Sequence, residues 1–313
     1  SDFWADPSKQ MTPKAWAGMD IDAKAEALEA YTLDCLNQLN DAGAKVAMVQ
    51  LGNETNGMLC GEKRWMDIYY LMDAGSGAVR EVFPQALIAV HFSDPQNADS
   101  YLSWAFKLDY YHLDYDVFGT SYYPYWHGSL ENLKATLGEI QATYGKQVMV
   151  LETSWAWTTE DGDFSGNTIG ESGYDKPYAI SVQGQVNEVA AVAQAMADIG
   201  GIGLCYWEGA WVPVGRFSRE ENAALWEAYG SGWASSFAAE YDPDDAGVYY
   251  GGCACDNQTL FDFTGRALPS LAVFKLVRGG QDQPLRVMHA AGLAKIVEIE
   301  PKKKEAQGHE AAK

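Results

Sequence analysis

The sequence predicts an α/β fold of the (β/α)8 TIM-barrel type, with about two and a half βα units missing on its N-terminal side. Three observations lead there. Short β-rich runs alternate with longer amphipathic ones, the pattern of parallel strands joined by crossover helices. Polar and aromatic residues recur just after the strands, at Asn53-Glu54, His91, Tyr122-Tyr123, Glu152 and Trp207-Glu208. In a barrel those positions share one rim, where active sites are built. No Gly-rich phosphate loop follows any strand, so a nucleotide-binding open sheet has little support.

The elements follow in order. Residues 1–4 have the look of a strand end, because Asp6-Pro7 and Pro13 come next. Residues 23–42 predict a helix with a stripe of Ala27, Leu28, Tyr31, Leu36 and Leu39, closed by Gly43. Lys45 to Leu51 is an apolar strand, Trp65 to Phe83 a helix stopped by Pro84, and Ala86 to His91 a second strand. A helix over 98–108, a strand over 117–120, a helix over 129–144 and a strand over 147–151 follow. Then come a helix over 182–199, a strand over 203–207 and a closing helix over 268–276. Residues 1–280 are thus expected to form one catalytic barrel domain that lacks its N-terminal part. Residues 281–313, poor in turn signals and closing with Lys302-Lys303-Lys304 and Glu310-Ala311-Ala312-Lys313, read as a linker or the start of a further domain.

Composition narrows the function. With 22 Lys+Arg against 43 Asp+Glu, the net charge of −21 argues against nucleic-acid binding. Neutral sugars are indifferent to it. No stretch of about 18 apolar residues is present to insert in a membrane. Five cysteines without regular spacing form no disulfide framework and no paired metal knuckles. Five histidines show no HExxH spacing, which leaves a zinc hydrolase poorly supported. Aromatic residues reach 13%, and many, among them Trp4, Trp126, Trp207 and Trp211, sit in loop-like settings. Buried packing is the ordinary role of such rings, but clusters at strand ends suit the C–H faces of sugars.

Two glutamates each end an apolar strand, Glu54 in Leu51-Gly52-Asn53-Glu54 and Glu152 in Val150-Leu151-Glu152-Thr153. A glutamate after a buried strand is costly in the core and should point into the rim. Glycosidic bonds are cut by two such groups, one protonating the leaving oxygen and one attacking the anomeric carbon or activating water. Asn53 beside Glu54 adds an amide able to hold a sugar 2-hydroxyl.

Gly52-Asn53-Glu54 and the strand-ending Glu152 resemble clan A of the glycoside hydrolases, and within it family 53, the arabinogalactan endo-β-1,4-galactanases. The similar stretches are 1–7, 49–57, Ser121-Tyr122-Tyr123-Pro124-Tyr125-Trp126-His127-Gly128, Leu151-Glu152-Thr153-Ser154 and 230–234. The resemblance implies that strands 1, 2 and most of 3 have no counterpart in this chain. It implies a retaining hydrolase of neutral plant cell-wall galactan, with Glu54 as acid/base and Glu152 as nucleophile. Asn53 would take the 2-hydroxyl, Tyr122 or Tyr123 would orient Glu152, and Trp207 would stack under the reacting sugar. His91 would be a polar partner in the rim, with a satisfied core histidine as the alternative, and Trp4, Asp6, Trp126, His127 and Trp211 would line further subsites. A monomer, secreted to the cell exterior and with a signal peptide outside this chain, is expected.

After Glu152, oxygen-bearing residues recur at alternate positions, Asp161, Asp163, Ser165 and Asn167, as in loops that wrap a hard cation. The family resemblance implies a structural Ca2+ there, completed by the Cys253 carbonyl and by Asp256. Family members often have Ser at position 253 and His at 165, which is harmless where backbone oxygens bind. Competing readings are a clan relative acting on mannan, xylan or β-glucan, and a carbohydrate-binding or inactive barrel fragment.

Overall fold

The structure is a computed structural model. It describes residues 5–170, 173, 175–213, 218–229, 235–240, 246–248, 250–278, 286–290 and 293–297. Trp4 and the stretch 230–234 lie outside the described residues.

Four parallel strands, β1 (Met48–Leu51), β2 (Leu87–Phe92), β3 (Val117–Ser121) and β4 (Gln147–Glu152), form one sheet in sequence order. Helices α1 (Ile21–Asp41), α2 (Trp65–Val82), α3 (Ala98–Tyr110), α4 (Leu130–Tyr144) and α5 (Val182–Asp198) surround them. This is an arc of the (β/α)8 fold, and among the described residues the sheet does not close. The expected strand at 203–207 is reduced to a single parallel bridge, Val150 to Leu204. Cys205 and Trp207 still donate to the carbonyls of Val150 and Thr153 (2.9 Å each), so this segment keeps a strand's place although a turn follows at once.

Local chemistry fixes the helix starts. Asp20, Asn97, Ser129 and Ser181 each accept an N–H from the first turn of α1, α3, α4 and α5. Gly145, at φ 65°, closes α4 in the left-handed region. Helix α6 (Arg219–Tyr229) is not among the sequence expectations. The closing helix is a 3-10 turn (Pro269–Ala272) running into α7 (Val273–Arg278). Within 281–313, expected as linker or domain start, β5 (Arg286–Ala290) and β6 (Leu293–Val297) pair antiparallel.

The core is two-sided. Ile88, Val90, Phe92, Phe118, Val148 and Val150 face the helices, packing against Ile68, Leu71, Tyr101, Leu133 and Leu137. Ala89, Val117 and Leu151 face the other way, with Met48, Leu87 and Met149. β2 and β3, covered on both faces, are the continuous apolar runs expected of inner parallel strands. On α1 the expected stripe holds only in part. Leu36 is buried, but Tyr31 and Leu39 are exposed, and Tyr31 and Leu28 line a cavity of about 620 Å3 beside the β1 edge. With β1 at the edge of the sheet, no strand among the described residues covers that face of α1.

A late segment laces the rim together. Residues 256–259 are buried, and Gln258 Oε1 accepts from Ser154 Oγ (2.5 Å) and Tyr125 OH (3.1 Å). Gln185 on α5 donates to the carbonyls of Trp155, Gln258 and Thr259, and Asn257 donates to those of Thr158 and Ile169. The Gln185 and Asn257 amide donors are met by backbone carbonyls of separate loops, which ties the loops to one another, while Asn257 Oδ1 and Gln258 Nε2 are buried without a partner.

Candidate active site

Glu152 reaches the inner face through a bulge. In the β3–β4 ladder Thr120 pairs with Val150 but Ser121 pairs with Glu152, so Leu151 is the extra residue. Val148 and Val150 face the helices while Met149 and Leu151 face inward, and strict alternation would send Glu152 back toward the helices. The bulge cancels that alternation and turns the carboxylate inward. Gly119 makes room for it: a Cβ there would lie 2.1 Å from Leu151 Cδ1 and 3.0 Å from the Val90 carbonyl.

Glu54 arrives from the turn after β1. Gly52 (φ 74°) and Glu54 itself (φ 44°) occupy the left-handed region, a strained conformation for a glutamate. The turn is pinned from several sides. Glu54 N–H donates to His91 Nδ1 (3.3 Å), and Thr55 N–H and Oγ1 both donate to the His91 carbonyl. Gln10 Nε2 donates to the Asn53 and Glu54 carbonyls.

A polar chain runs across the inner strand ends beneath the two glutamates. Gln50 Nε2 lies 3.0 Å from His91 Nδ1, and His91 Nε2 lies 2.9 Å from Ser121 Oγ. Nδ1 also lies 3.3 Å from the Glu54 N–H and 3.1 Å from Asn53 Oδ1, so the ring ties the Asn53-Glu54 turn to Ser121. His91 is fully buried, and burial lowers its pKa to about 3, so the ring is neutral. It is thus the satisfied core histidine rather than a rim residue, because its strand position lies one layer below the carboxylates.

Carboxylate oxygens of Glu54 and Glu152 and a His91 nitrogen all lie within 4.8 Å of one another. Tyr123 OH donates to Glu152 Oε2 at 2.7 Å. Tyr122, the other candidate, turns away and donates to the Gly128 carbonyl (3.0 Å). Both carboxyl groups are raised above the usual range. Glu152 is pushed up to about 7 by burial and then by the Glu54 charge, against hydrogen bonds from Tyr123 and Ser121. Glu54 is raised first by burial and also by Asp6, against hydrogen bonds from Ser121 and Ser93. Two half-buried carboxyls this close titrate as a coupled pair, the Glu54 charge holding the Glu152 proton on.

Around the pair, the sequence candidates divide. Asp6 accepts from Ser8 N–H and Oγ and is near enough for its charge to act on Glu54. The Asn53 amide donates to the Ala5 carbonyl (3.1 Å). Trp207 meets Tyr123 edge-on at 6.0 Å, and Trp126, 44% exposed, does so at 5.6 Å. His127 is buried rather than lining a subsite. Its Nδ1 accepts the Tyr123 N–H (3.0 Å), and burial lowers its pKa to about 4. Trp211 is 45% exposed on the turn beyond Glu208, to whose carbonyl its N–H donates. Ser121, Ser93, Gln50 and Gln10 were not singled out from the sequence. For Ser121 one signal was present, a polar residue closing a buried strand at the level of Glu152.

The loop after β4 gathers the acidic candidates. Asp161, Asp163 and Asp256 carboxylate oxygens lie within 4.8 Å of one another. Ser165 N–H and Cys253 N–H donate to the two oxygens of Asp163, and Gly162 N–H donates to Asp256 Oδ2. Asp256 Oδ1 and Asn167 Oδ1 are buried with no hydrogen-bond partner. Asp256 is raised to about 7 by burial and by the Asp163 and Asp161 charges.

Comparison with known proteins agrees with this geometry. Residues 1–274 match the family described as Glycosyl hydrolase family 53. An endo-β-1,4-galactanase of Bacillus subtilis is 52% identical over 283 residues, covering 90% of this chain and 66% of the relative. An arabinogalactan endo-β-1,4-galactanase of Cellvibrio japonicus is 36% identical, covering 73% and 65%. The chain therefore spans just under two thirds of the length of these relatives. Among solved structures, the Ignisphaera aggregans GH53 catalytic domain superposes with a TM-score of 0.73 at 33% identity, covering 88% of this chain and 71% of that one. A structure of fungal β-1,4-galactanases gives 0.66 at 27% identity, covering 88% and 75%. Paired glutamates on one strand-end rim, a family match over residues 1–274 and a relative 52% identical converge: the chain belongs to glycosyl hydrolase family 53.

Proposed function

We propose that this chain carries the catalytic face of a retaining endo-β-1,4-galactanase acting on galactan and type I arabinogalactan side chains of pectin. One observation carries the mechanism: the Glu54 and Glu152 oxygens lie within 4.8 Å of each other. Retaining glycosidases hold their carboxyl groups about 5–5.5 Å apart, whereas inverting ones leave about 6.5–9.5 Å for a water. The galactan substrate is supported by the printed activities of the Bacillus subtilis and Cellvibrio japonicus relatives.

The steps follow from the geometry. With the pair's proton on Glu54, that residue gives it to the glycosidic oxygen as the ionised Glu152 attacks the anomeric carbon. The bond to the leaving chain breaks, and a galactosyl ester forms on Glu152. Glu54, now a carboxylate, takes a proton from water, whose oxygen displaces Glu152 from the same carbon. Tyr123 donates to the Glu152 anion and keeps its free oxygen aimed at the sugar. Asn53 takes the 2-hydroxyl, and Trp207 and Trp126 offer rings for sugar faces. The test is release of reducing ends from galactan by the parent and by Glu152→Ala and Glu54→Ala variants. Loss of at least about a thousandfold in each is expected. A Glu152→Ala rate near the parent's would remove the nucleophile, and cleavage of mannan, xylan or β-glucan in preference to galactan would remove the substrate. One chain supplies both carboxylates, which supports a monomer. A polymeric substrate of this size supports action outside the cell.

The reading extends to calcium. Asp161, Asp163 and Asp256 carboxylates and the Asn167 amide oxygen would hold the ion, with the Ser165 and Cys253 carbonyls completing the shell. The partnerless oxygens of Asp256 and Asn167 fit such a ligand set, since a buried acceptor without a donor is costly unless a cation meets it. The ion would tie the loop after β4 to the strip 253–256 and takes no part in bond breaking. Chelation should lower the melting temperature by several degrees, and excess calcium should restore it. A melting temperature indifferent to chelator would remove the ion.

A further inference from the structure

A second group of donor atoms lies on the same strip, and its chemistry is different. Glu208 follows Trp207 in the left-handed region, at φ 50°. The Cys253 thiol donates to Glu208 Oε2 at 3.9 Å, and Cys255 N–H donates to Cys253 Sγ at 3.3 Å. The two sulfurs and a Glu208 oxygen all lie within 4.8 Å of one another, and all three residues are half-buried. Both cysteines are free thiols. We propose that Glu208, Cys253 and Cys255 form a binding site for a thiophilic divalent cation of the zinc class, separate from the hard-cation site of Asp161, Asp163 and Asp256.

Donor type and spacing argue for it. Thiolates about 2.3 Å and a carboxylate about 2.0–2.2 Å from a tetrahedral ion sit roughly 3.5–3.8 Å apart, close to the Cys253–Glu208 separation. Two sulfurs and one oxygen select soft or borderline ions over calcium or magnesium, while three carboxylates select the reverse. The backbone that carries the thiols is already fixed. Cys253 N–H is held by Asp163, the Ala254 carbonyl accepts from Thr168 N–H (2.7 Å), and the Cys255 carbonyl accepts from Gln258 N–H (2.9 Å). Little ordering remains for an ion to impose, and three protein ligands leave a fourth position for water. Each bound thiol gives up its proton, so two thiolates and one carboxylate around a dication carry a net charge of −1. Occupancy would join Glu208, next to Trp207, to the strip that borders the hard-cation site.

The test uses the full chain, kept reduced and with five thiols confirmed by titration, in excess calcium. Cobalt is the optical probe and zinc the calorimetric one. The expected results are a thiolate-to-cobalt charge-transfer band and one zinc bound per chain in the presence of calcium. Both should be lost or weakened at least about tenfold in Cys253→Ser/Cys255→Ser. Glu208→Gln, which keeps both thiols, should keep part of the band and weaken zinc. Asp161→Asn should leave both signals unchanged. Absence of the band in the parent overturns the site, as does a band and affinity retained in the double variant, which would place the ion on Cys35, Cys60 or Cys205. Circular dichroism of each variant separates lost binding from lost fold, with Glu208→Gln deciding the question if the double variant unfolds.

Discussion

At the scale of the residue, the site is two carboxyl groups whose proton is distributed by their neighbours. Tyr123 is the neighbour most specific to Glu152, a phenol donor at 2.7 Å that favours the ionised form. Tyr123→Phe removes it with little change in volume. The Glu152 pKa should then rise, so the acid limb of the kcat/KM profile on galactan moves to higher pH, and kcat falls about 10- to 100-fold. A profile that keeps its acid limb in place would show that Tyr123 packs beside the nucleophile without tuning it. His91 acts one layer lower. It is neutral and buried, and it works by tying the Asn53-Glu54 turn, through Nδ1, to Ser121, through Nε2.

At the scale of the element, the decisive feature is the bulge at Leu151, which delivers Glu152 to the inner face. It depends on Gly119, because Leu151 fills the space a side chain would need. Gly119→Ala should cost about 1–3 kcal/mol by overpacking and also lower activity, since Leu151 cannot move without Glu152. Equilibrium denaturation together with a galactan assay checks both, and a stable variant of full activity would contradict it. Much of this level was legible in the sequence. Apolar runs ending at Gly52, His91 and Glu152 marked the strands, and Gly43 and Pro84 marked helix ends. What was not legible were features that depend on chain distant in sequence. The bulge answers the register of β3, the 203–207 run makes one bridge because a turn begins at Trp207, and Tyr31 is exposed because no strand among the described residues covers it. The choice between Tyr122 and Tyr123 likewise waited on where their hydroxyls point.

At the scale of the whole molecule, one buried acid outside the site adds a pH dependence to stability. Glu188 on α5 is fully buried, takes a hydrogen bond from the Thr153 hydroxyl, and has an Oε2 without a partner. Burial raises its pKa from the ordinary 4.5 to about 8. Below pH 4.5 folded and unfolded chains both hold this proton and it costs nothing. Between there and about 8 the unfolded chain releases it while the folded one does not, so stability falls as pH rises, by at most about 1.4 kcal/mol per pH unit. Glu188→Gln has no proton to lose. Urea unfolding at pH 5 and pH 8 should show the variant gaining on the parent as pH rises, and parallel curves would contradict the raised pKa. The segment 256–259 has a consequence in time as well. Both carboxylates are translated by residue 152, yet the amides that bind Ser154, Tyr125 and Thr158 into one assembly arrive about a hundred residues later. A nascent chain therefore holds its chemistry well before it holds the frame for it.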